Sequence, residues 1–337
     1  MILTRRGIGA VVLVVVTSVM AVRFGSRQLG AIIIPVVVAL LGAGIQLYMT
    51  GRPEVRRKLP DEGYIGEMKE VGLEFNLSSP VGARVVDDIP AGLRAVGNEF
   101  DTTIGSNELT YEIEYLFRGH HELGPLSVTV RDVLGLTERT YTYSMHDTVL
   151  VYPRVYTLTG ATRHDLNLLP EGSPEHNREE FDSLREYARG DSLRDVHWKS
   201  SAKRPADDLV VKEFIAEDDL GDVKIAAEAA DGWDDEMAEA AASIALYLLD
   251  AGIAVGLAAP NGDLPVGTGA DQREAILHNL ATVGPGQVPE SYREEADIVI
   301  VASENTGVSV EMQNGTVPFD SFVGSSTTAA TISEATA

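Results

Sequence analysis

Residues Leu184–Lys203, LREYARGDSLRDVHWKSSAK, hold three acids, five bases, a histidine and one of the two tryptophans of the chain. Side chains of these types can do two kinds of chemistry. Asp191 or His197 could take up a proton while Arg194 or Lys199 holds an anion, which are the ingredients of phosphoester or acyl transfer. Alternatively, Arg185, Glu186, Asp191, Arg194 and Lys199 can form ion pairs, either bracing two domains of the same chain or gripping another polypeptide. The spacing favours ion pairing. Gly190-Asp191 reads as a turn and a helix N-cap, with the Asp191 carboxylate accepting from backbone N–H groups two or three residues on. A helix from Ser192 toward Ala202 follows, with Asp195 one turn ahead of Lys199 and with Arg194, Trp198 and Ala202 along a second stripe. Asp191 and His197 then fall on different sides, and no nucleophile elbow, Walker loop, H-E-x-x-H or G-x-G-x-x-G accompanies them. A polypeptide-binding or domain-bracing surface is therefore expected, with a hydrolase-like site at Asp191 and His197, or a ligand-binding or adhesion module in the domains around it, as the alternatives.

The chain that must position this segment has 337 residues, room for two soluble domains and membrane segments besides. Its formal charge is −24 and its pI about 4.6, with 21 Arg and six Lys among the bases. Such a surface argues against nonspecific binding to nucleic acid or anionic lipid. It also points to a halophilic, haloarchaeal source, because carboxylates hold water and counterions where molar salt shortens the Debye length to about 3 Å. There is no cysteine, which removes disulfides, thiolate catalysis and thiolate-bound metal.

Two uncharged runs stand near the start, Gly7–Val22 and Gln28–Gly51. At 1.5 Å per residue the first is about 24 Å long against a hydrocarbon core of about 30 Å, so Arg5, Arg6 and Arg23 would have to snorkel. Thr4-Arg5-Arg6 hints at an export signal, yet the second run follows after Arg23–Arg27 and suits a helical hairpin better, with helices over about 7–24 and 28–50. Arg5, Arg6, Arg52, Arg56, Arg57 and Lys58 flank the hairpin, while Arg23 and Arg27 lie in its loop. This asymmetry puts the soluble part in the cytoplasm of a multi-pass membrane protein. Neither run contains Asp, Glu, His, Lys or Arg, so the hairpin is expected to be an anchor and not a proton path.

Beyond it the pattern changes to period two. Leu109, Tyr111, Ile113, Tyr115 and Phe117 alternate with Thr110, Glu112 and Glu114, and Leu126, Val128 and Val130 alternate with polar residues. Glycines punctuate these strands at turn spacing, which predicts an antiparallel β-sandwich over 59–158. His120-His121 would point to opposite sides and reads as a solvated loop pair, not a metal site. The polar stretch Thr157–Phe181 connects to the charged segment, and Leu209–Phe214 reads as a strand leaving it. An α/β alternation follows: strand Val223–Ala229, helix Asp235–Asp250, strand Ile253–Ala259, helix Asp271–Ala281, strand Ala296–Ala302. That order makes a parallel sheet. From Glu304 the chain is rich in Ser, Thr and Gly and reads as a polar tail, disordered after Phe322.

Arg185-Glu186-Tyr187, Gly190-Asp191, Arg194, Trp198-Lys199 and Ser201-Ala202 resemble the signature R-E-Y-x-x-G-D-x-x-R-x-x-x-W-K-x-S-A of the domain of unknown function 58 family. Arg118-Gly119, Leu123-Gly124-Pro125, Arg131-Asp132, Gly135-Leu136 and Val151-Tyr152-Pro153 also resemble that family, in which a membrane hairpin precedes a β domain. The resemblance implies a von Willebrand factor A-like unit after the signature and a MoxR-type AAA+ ATPase as partner. Such a unit carries a magnesium site beginning D-x-S-x-S, with one carboxylate and two hydroxyls as hard ligands. Here that stretch reads Ala226-Ala227-Glu228-Ala229-Ala230-Asp231, with no hydroxyl, so the ion is expected to be missing. The expectation is thus an α+β multidomain protein: hairpin 1–58, β-sandwich 59–158, connector 159–215 with signature 179–204, a partial A-like unit 216–303 and a tail 304–337. It is expected to be a non-enzymatic membrane scaffold without cofactor, metal, nucleic acid or small-molecule substrate.

Overall fold

The computed structural model describes residues 1–24, 27–159, 181–186, 210–214, 221–313 and 315–323. The chain divides into two compact units, Met1–Arg154 and Val155–Ala337.

In the first unit the apolar runs form α1 (Arg5–Phe24) and α2 (Gly30–Thr50), with mean hydropathies of 2.2 and 2.3. Each has the length and composition to cross a membrane. Pro35 lies inside α2, where the only intrahelical bond it forgoes is one its missing N–H would have donated. Both helices join the β domain with almost no intervening chain. A short strand β1 (Ile2–Leu3) is separated from α1 by Thr4 alone, and β2 (Glu54–Lys58) starts four residues after α2 ends.

The β domain is a sandwich built on alternation. One sheet is antiparallel in the order β1, β11 (Thr137–Tyr143), β10 (Leu126–Arg131), β5 (Val81–Asp87), β7 (Glu99–Ile104). A second runs β2, β4 (Met68–Asn76), β8 (Glu108–Tyr115), β6 (Leu93–Val96). A third joins β3 (Gly63–Tyr64), β12 (Asp147–Tyr152) and β9 (Gly119–Leu123). Period-two burial turns Leu73 and Phe75, Val81, Ala83 and Val85, Tyr111, Ile113 and Tyr115, and Leu126, Val128 and Val130 into one core. Two expectations need correction here. Phe117 lies past the end of β8 and is exposed. His120 and His121 lie in β9, not in a loop; His121 packs on Gly92, where any Cβ would collide with the imidazole, and its Nε2 is 2.6 Å from the Phe117 carbonyl oxygen.

In the second unit six strands form one mixed sheet in the order β17 (Gly262–Gly267), β16 (Ala254–Ala259), β15 (Asp222–Ala229), β18 (Ile298–Ser303), β19 (Gly307–Met312), β20 (Gly315–Pro318). The three strands read from the sequence, β15, β16 and β18, are the parallel ones. The other three pair antiparallel, so the sheet is not all parallel as expected. β19 and β20 also correct the reading of the chain after Glu304 as a polar tail. Val310 is fully buried and Phe322 has no exposed surface. Helix α3 (Asp234–Asp250) buries Met237, Ala241, Ile244, Ala245 and Leu248 at three- and four-residue spacing and packs on β15, β16 and β18. Helix α4 (Gly269–Thr282) packs beside α3. Ala226 of β15 forms a smaller cluster with Ala258, Val288 and Val299, and among the described residues the short helix α5 (Glu290–Glu295) also packs on β15.

Candidate functional site

Arg185 and Glu186 close a strand, β13 (Phe181–Glu186), that pairs antiparallel with β14 (Val210–Phe214). The register places Arg185 opposite Val211 and Glu186 opposite Val210, with an irregularity between Phe181 and Ser183. The first two signature residues are therefore one leg of a ladder whose other leg is the strand expected to leave the segment. Tyr187, Gly190, Asp191, Arg194, Trp198, Lys199, Ser201 and Ala202 lie outside the described residues, as do His197 and the helix expected from Ser192. Backbone pairing sets Glu186 and Val210 side by side, about 5 Å apart.

The second unit places a different ionic group where the A-like resemblance puts a cation. Glu228, near the carboxyl end of β15, is buried. Its carboxylate accepts from the Arg293 guanidinium of α5 and, at 3.2 Å, from the Val288 backbone N–H. Arg293 also reaches the Glu311 carboxylate of β19 at 3.2 Å. A cation at Glu228 would have to displace that guanidinium, and Asp231 stands in an exposed turn beyond the strand. The start of α3 is equally unsuited to an anion, because Asp234, Asp235 and Glu236 fill its first turn and complement the helix dipole themselves. Sequence reasoning placed Glu228 at the strand end but missed Arg293. A lone arginine in a short charged helix, ESYREE, gives no pattern that would single it out.

A third ionic group, also missed, sits inside the sandwich. Arg57 and Asp87 both have side chains with no exposed surface. The guanidinium donates twice to Asp87, at 3.0 and 2.6 Å, once to Asp147 at 2.6 Å, and to the Leu123 carbonyl at 3.3 Å. The Tyr111 hydroxyl donates to Asp87 at 2.8 Å. Burial pulls the Arg57 pKa down, but bonds to Asp87 and Asp147 more than offset it and the group ends above its ordinary value. Tyr111 is pushed up, first by burial and then by the Asp87 charge and hydrogen bond. Arg57 counts among the bases flanking the hairpin, yet it is spent inside the β domain. Lys58 is engaged as well, at 2.6 Å from Glu74 and 3.1 Å from Glu108. Arg5, Arg6, Arg52 and Arg56, with no carboxylate partner among the described residues, still outnumber Arg23 and Arg27 of the loop.

Residues 183–313 match the family described as "Protein of unknown function DUF58". The match takes in the signature and the α/β sheet through β19, and the sandwich lies outside it, so the similarity covers less of the chain than the sequence motifs suggest. A protein of Bacillus subtilis, "Uncharacterized protein YeaD", is 30% identical over 157 residues, which is 43% of this chain and 39% of that protein. The chain thus spans well under half the length of this relative. Among solved structures, a fragment of alpha-2-macroglobulin from Escherichia coli aligns with 35% of this chain and 21% of its own at 12% identity and a TM-score of 0.25. A PapD-like domain of human CEP192 aligns with 30% of this chain and 84% of its own at 13% identity and a TM-score of 0.22. Likenesses of that size carry no argument about function.

Proposed function

We propose that this chain is a membrane-anchored assembly protein that works by holding other polypeptides and not by turnover. The hairpin α1–α2 crosses the membrane, the sandwich stands on its cytoplasmic side, and the charged residues of the signature bind the partner polypeptide, in a chain that continues into a von Willebrand factor A-like sheet. The placement of the first parallel strand, β15, between β16 and β18 supports the A-like reading. The observation that carries the proposal is the state of Glu228. Where the A-like resemblance puts a cation, this protein has a buried carboxylate already neutralised by Arg293, so the strand end is built as structure and leaves binding to the signature. The excess of bases outside the hairpin loop supports the cytoplasmic orientation.

The resemblance suggests a MoxR-type AAA+ ATPase as the partner, with the acidic surface fitting a halophilic cytoplasm. Pull-down of the full chain in detergent with the cognate ATPase tests this. Arg185→Ala and Trp198→Ala are expected to lower the captured ATPase at least ~10-fold, the factor that about 1.4 kcal/mol of lost contact produces. Capture unchanged in both variants would remove the signature as the contact surface.

A further inference from the structure

The β10–β11 turn of the first unit is tied to both helices at the level of their last turn on that side. Thr4 Oγ1 donates to the Gly135 carbonyl at 2.5 Å, and the Thr4 N–H donates to the Leu136 carbonyl at 3.0 Å. Gly7 of α1 approaches that same carbonyl so closely that any Cβ would overlap it. On the other helix the Val133 N–H points to Gln46 Oε1 at 3.4 Å. Gln46 is four residues before the end of α2, about 6 Å along the axis. The turn therefore reaches past the helix ends and alongside the apolar runs.

At its tip are two apolar side chains, Val133 and Leu134, 84% and 53% exposed. The polar groups of the turn face inward. Asp132 is buried, and its two oxygens accept from the Leu134 N–H at 2.9 Å and from the Thr137 N–H at 2.6 Å and hydroxyl at 3.1 Å. Next to the turn β11 carries amphipathic aromatics. Tyr141 donates to the Gly51 carbonyl at 2.6 Å, Tyr143 donates to Pro53, and Arg52 and Arg139 lie 4.5 and 5.0 Å over the Tyr143 and Tyr141 rings. Tyrosines and arginines at a helix exit, with two aliphatic side chains level with the final turn, match the composition of a headgroup region.

We infer that Val133 and Leu134 insert into the headgroup and acyl boundary of the bilayer that the helices cross, giving the sandwich a third attachment. This rests on the membrane reading of the hairpin. Neither side chain needs to find a protein partner, because lipid at that depth is already present beside α1 and α2. Each would add buried aliphatic area to the anchor, and the turn would hold the sandwich flush with the surface.

The absence of cysteine allows single labels to decide it. Full-length Leu134→Cys, Val15→Cys and Val96→Cys are each labelled with an environment-sensitive fluorophore and reconstituted in phosphatidylcholine/phosphatidylglycerol vesicles. Nitroxide lipids carry the quencher on the headgroup, high on the chain or deep on the chain. Val15 is an exposed residue midway along α1, and Val96 is exposed on β6, the strand of its sheet farthest from β2. The label at Leu134 is expected to lose most of its emission to the headgroup and shallow-chain quenchers, that at Val15 to the deep quencher, and that at Val96 to none. Quenching at Val15 with Leu134 behaving like Val96 would overturn the turn insertion and leave the anchor standing. An unquenched Val15 would overturn the anchor itself. Blue-shifted but unquenched emission at Leu134 would put protein over the turn in place of lipid, and would also overturn the inference.

Discussion

Each unit buries a carboxylate against an arginine, but at different depths. Arg57 and Asp87 are wholly enclosed by the sandwich, with Tyr111 completing the coordination of Asp87. Arg293 keeps about a third of its side chain in solvent and shares itself between a buried Glu228 and an exposed Glu311. The first pair closes a two-sheet core in which the charges have no access to water. The second fastens a short helix to a sheet face that, among the described residues, no long helix covers. An enclosed pair is costly to break and insensitive to salt, whereas a rim pair is a screened tether.

The sharpest way to break this comparison is to remove the enclosed cation. Arg57→Met leaves Asp87 buried without its partner and is expected to cost about 3–5 kcal/mol in chemical denaturation of the first unit. Adding Asp87→Leu should recover part of that loss, since the stranded charge is gone. A single-variant loss below about 1 kcal/mol would mean that water reaches Asp87. At the rim, Glu228→Gln keeps an acceptor for the Val288 N–H and loses the ion pair, at an expected cost of about 1 kcal/mol. Molar salt should shrink that cost and leave the Arg57 cost unchanged; equal salt dependence would erase the distinction.

The smallest effect belongs to Asp297, whose carboxylate accepts from the Lys224 N–H at 2.9 Å next to β18. Burial raises its pKa, the Lys224 bond opposes this, and the charge of Asp222 adds to the rise. A folded-state pKa above the unfolded one contributes stability that is present below the ordinary carboxylate range, near pH 4, and lost as pH rises through the raised value. Asp297→Asn should therefore flatten the fall in melting temperature of the second unit across that window. Parallel curves for the two proteins would show that the carboxylate gains no proton affinity on folding.

Legibility followed periodicity. The apolar runs of α1 and α2, the alternation in β8 and β10, and the order β15, α3, β16, α4, β18 were all readable, because each buries one regular face. The missed strands have other causes. β17, GDLPVG, is an edge strand with a proline and little burial, and so has no apolar face to display. β19, GVSVEM, does alternate, with Val308, Val310 and Met312 against Ser309 and Glu311, but its surroundings of Ser, Thr and Gly hid a six-residue pattern. The ionic pairs were beyond reach for a different reason. Arg57 and Asp87 are 30 residues apart, and Arg293 and Glu228 are 65 apart. Only the folded registers bring them together. The strand that follows the signature, Leu209–Phe214, was legible, while the ladder joining it to Arg185 and Glu186 was not, since nothing in a single strand names its partner.

That ladder brings together in space two points of the chain, Glu186 and Val210, that are 24 positions apart in sequence. Because Glu186 and Val210 are cross-strand neighbours, a two-residue turn could in principle replace everything between them, and the same insert could be transplanted onto any antiparallel hairpin of suitable register. The β13–β14 ladder would then remain as a short hairpin within the second unit.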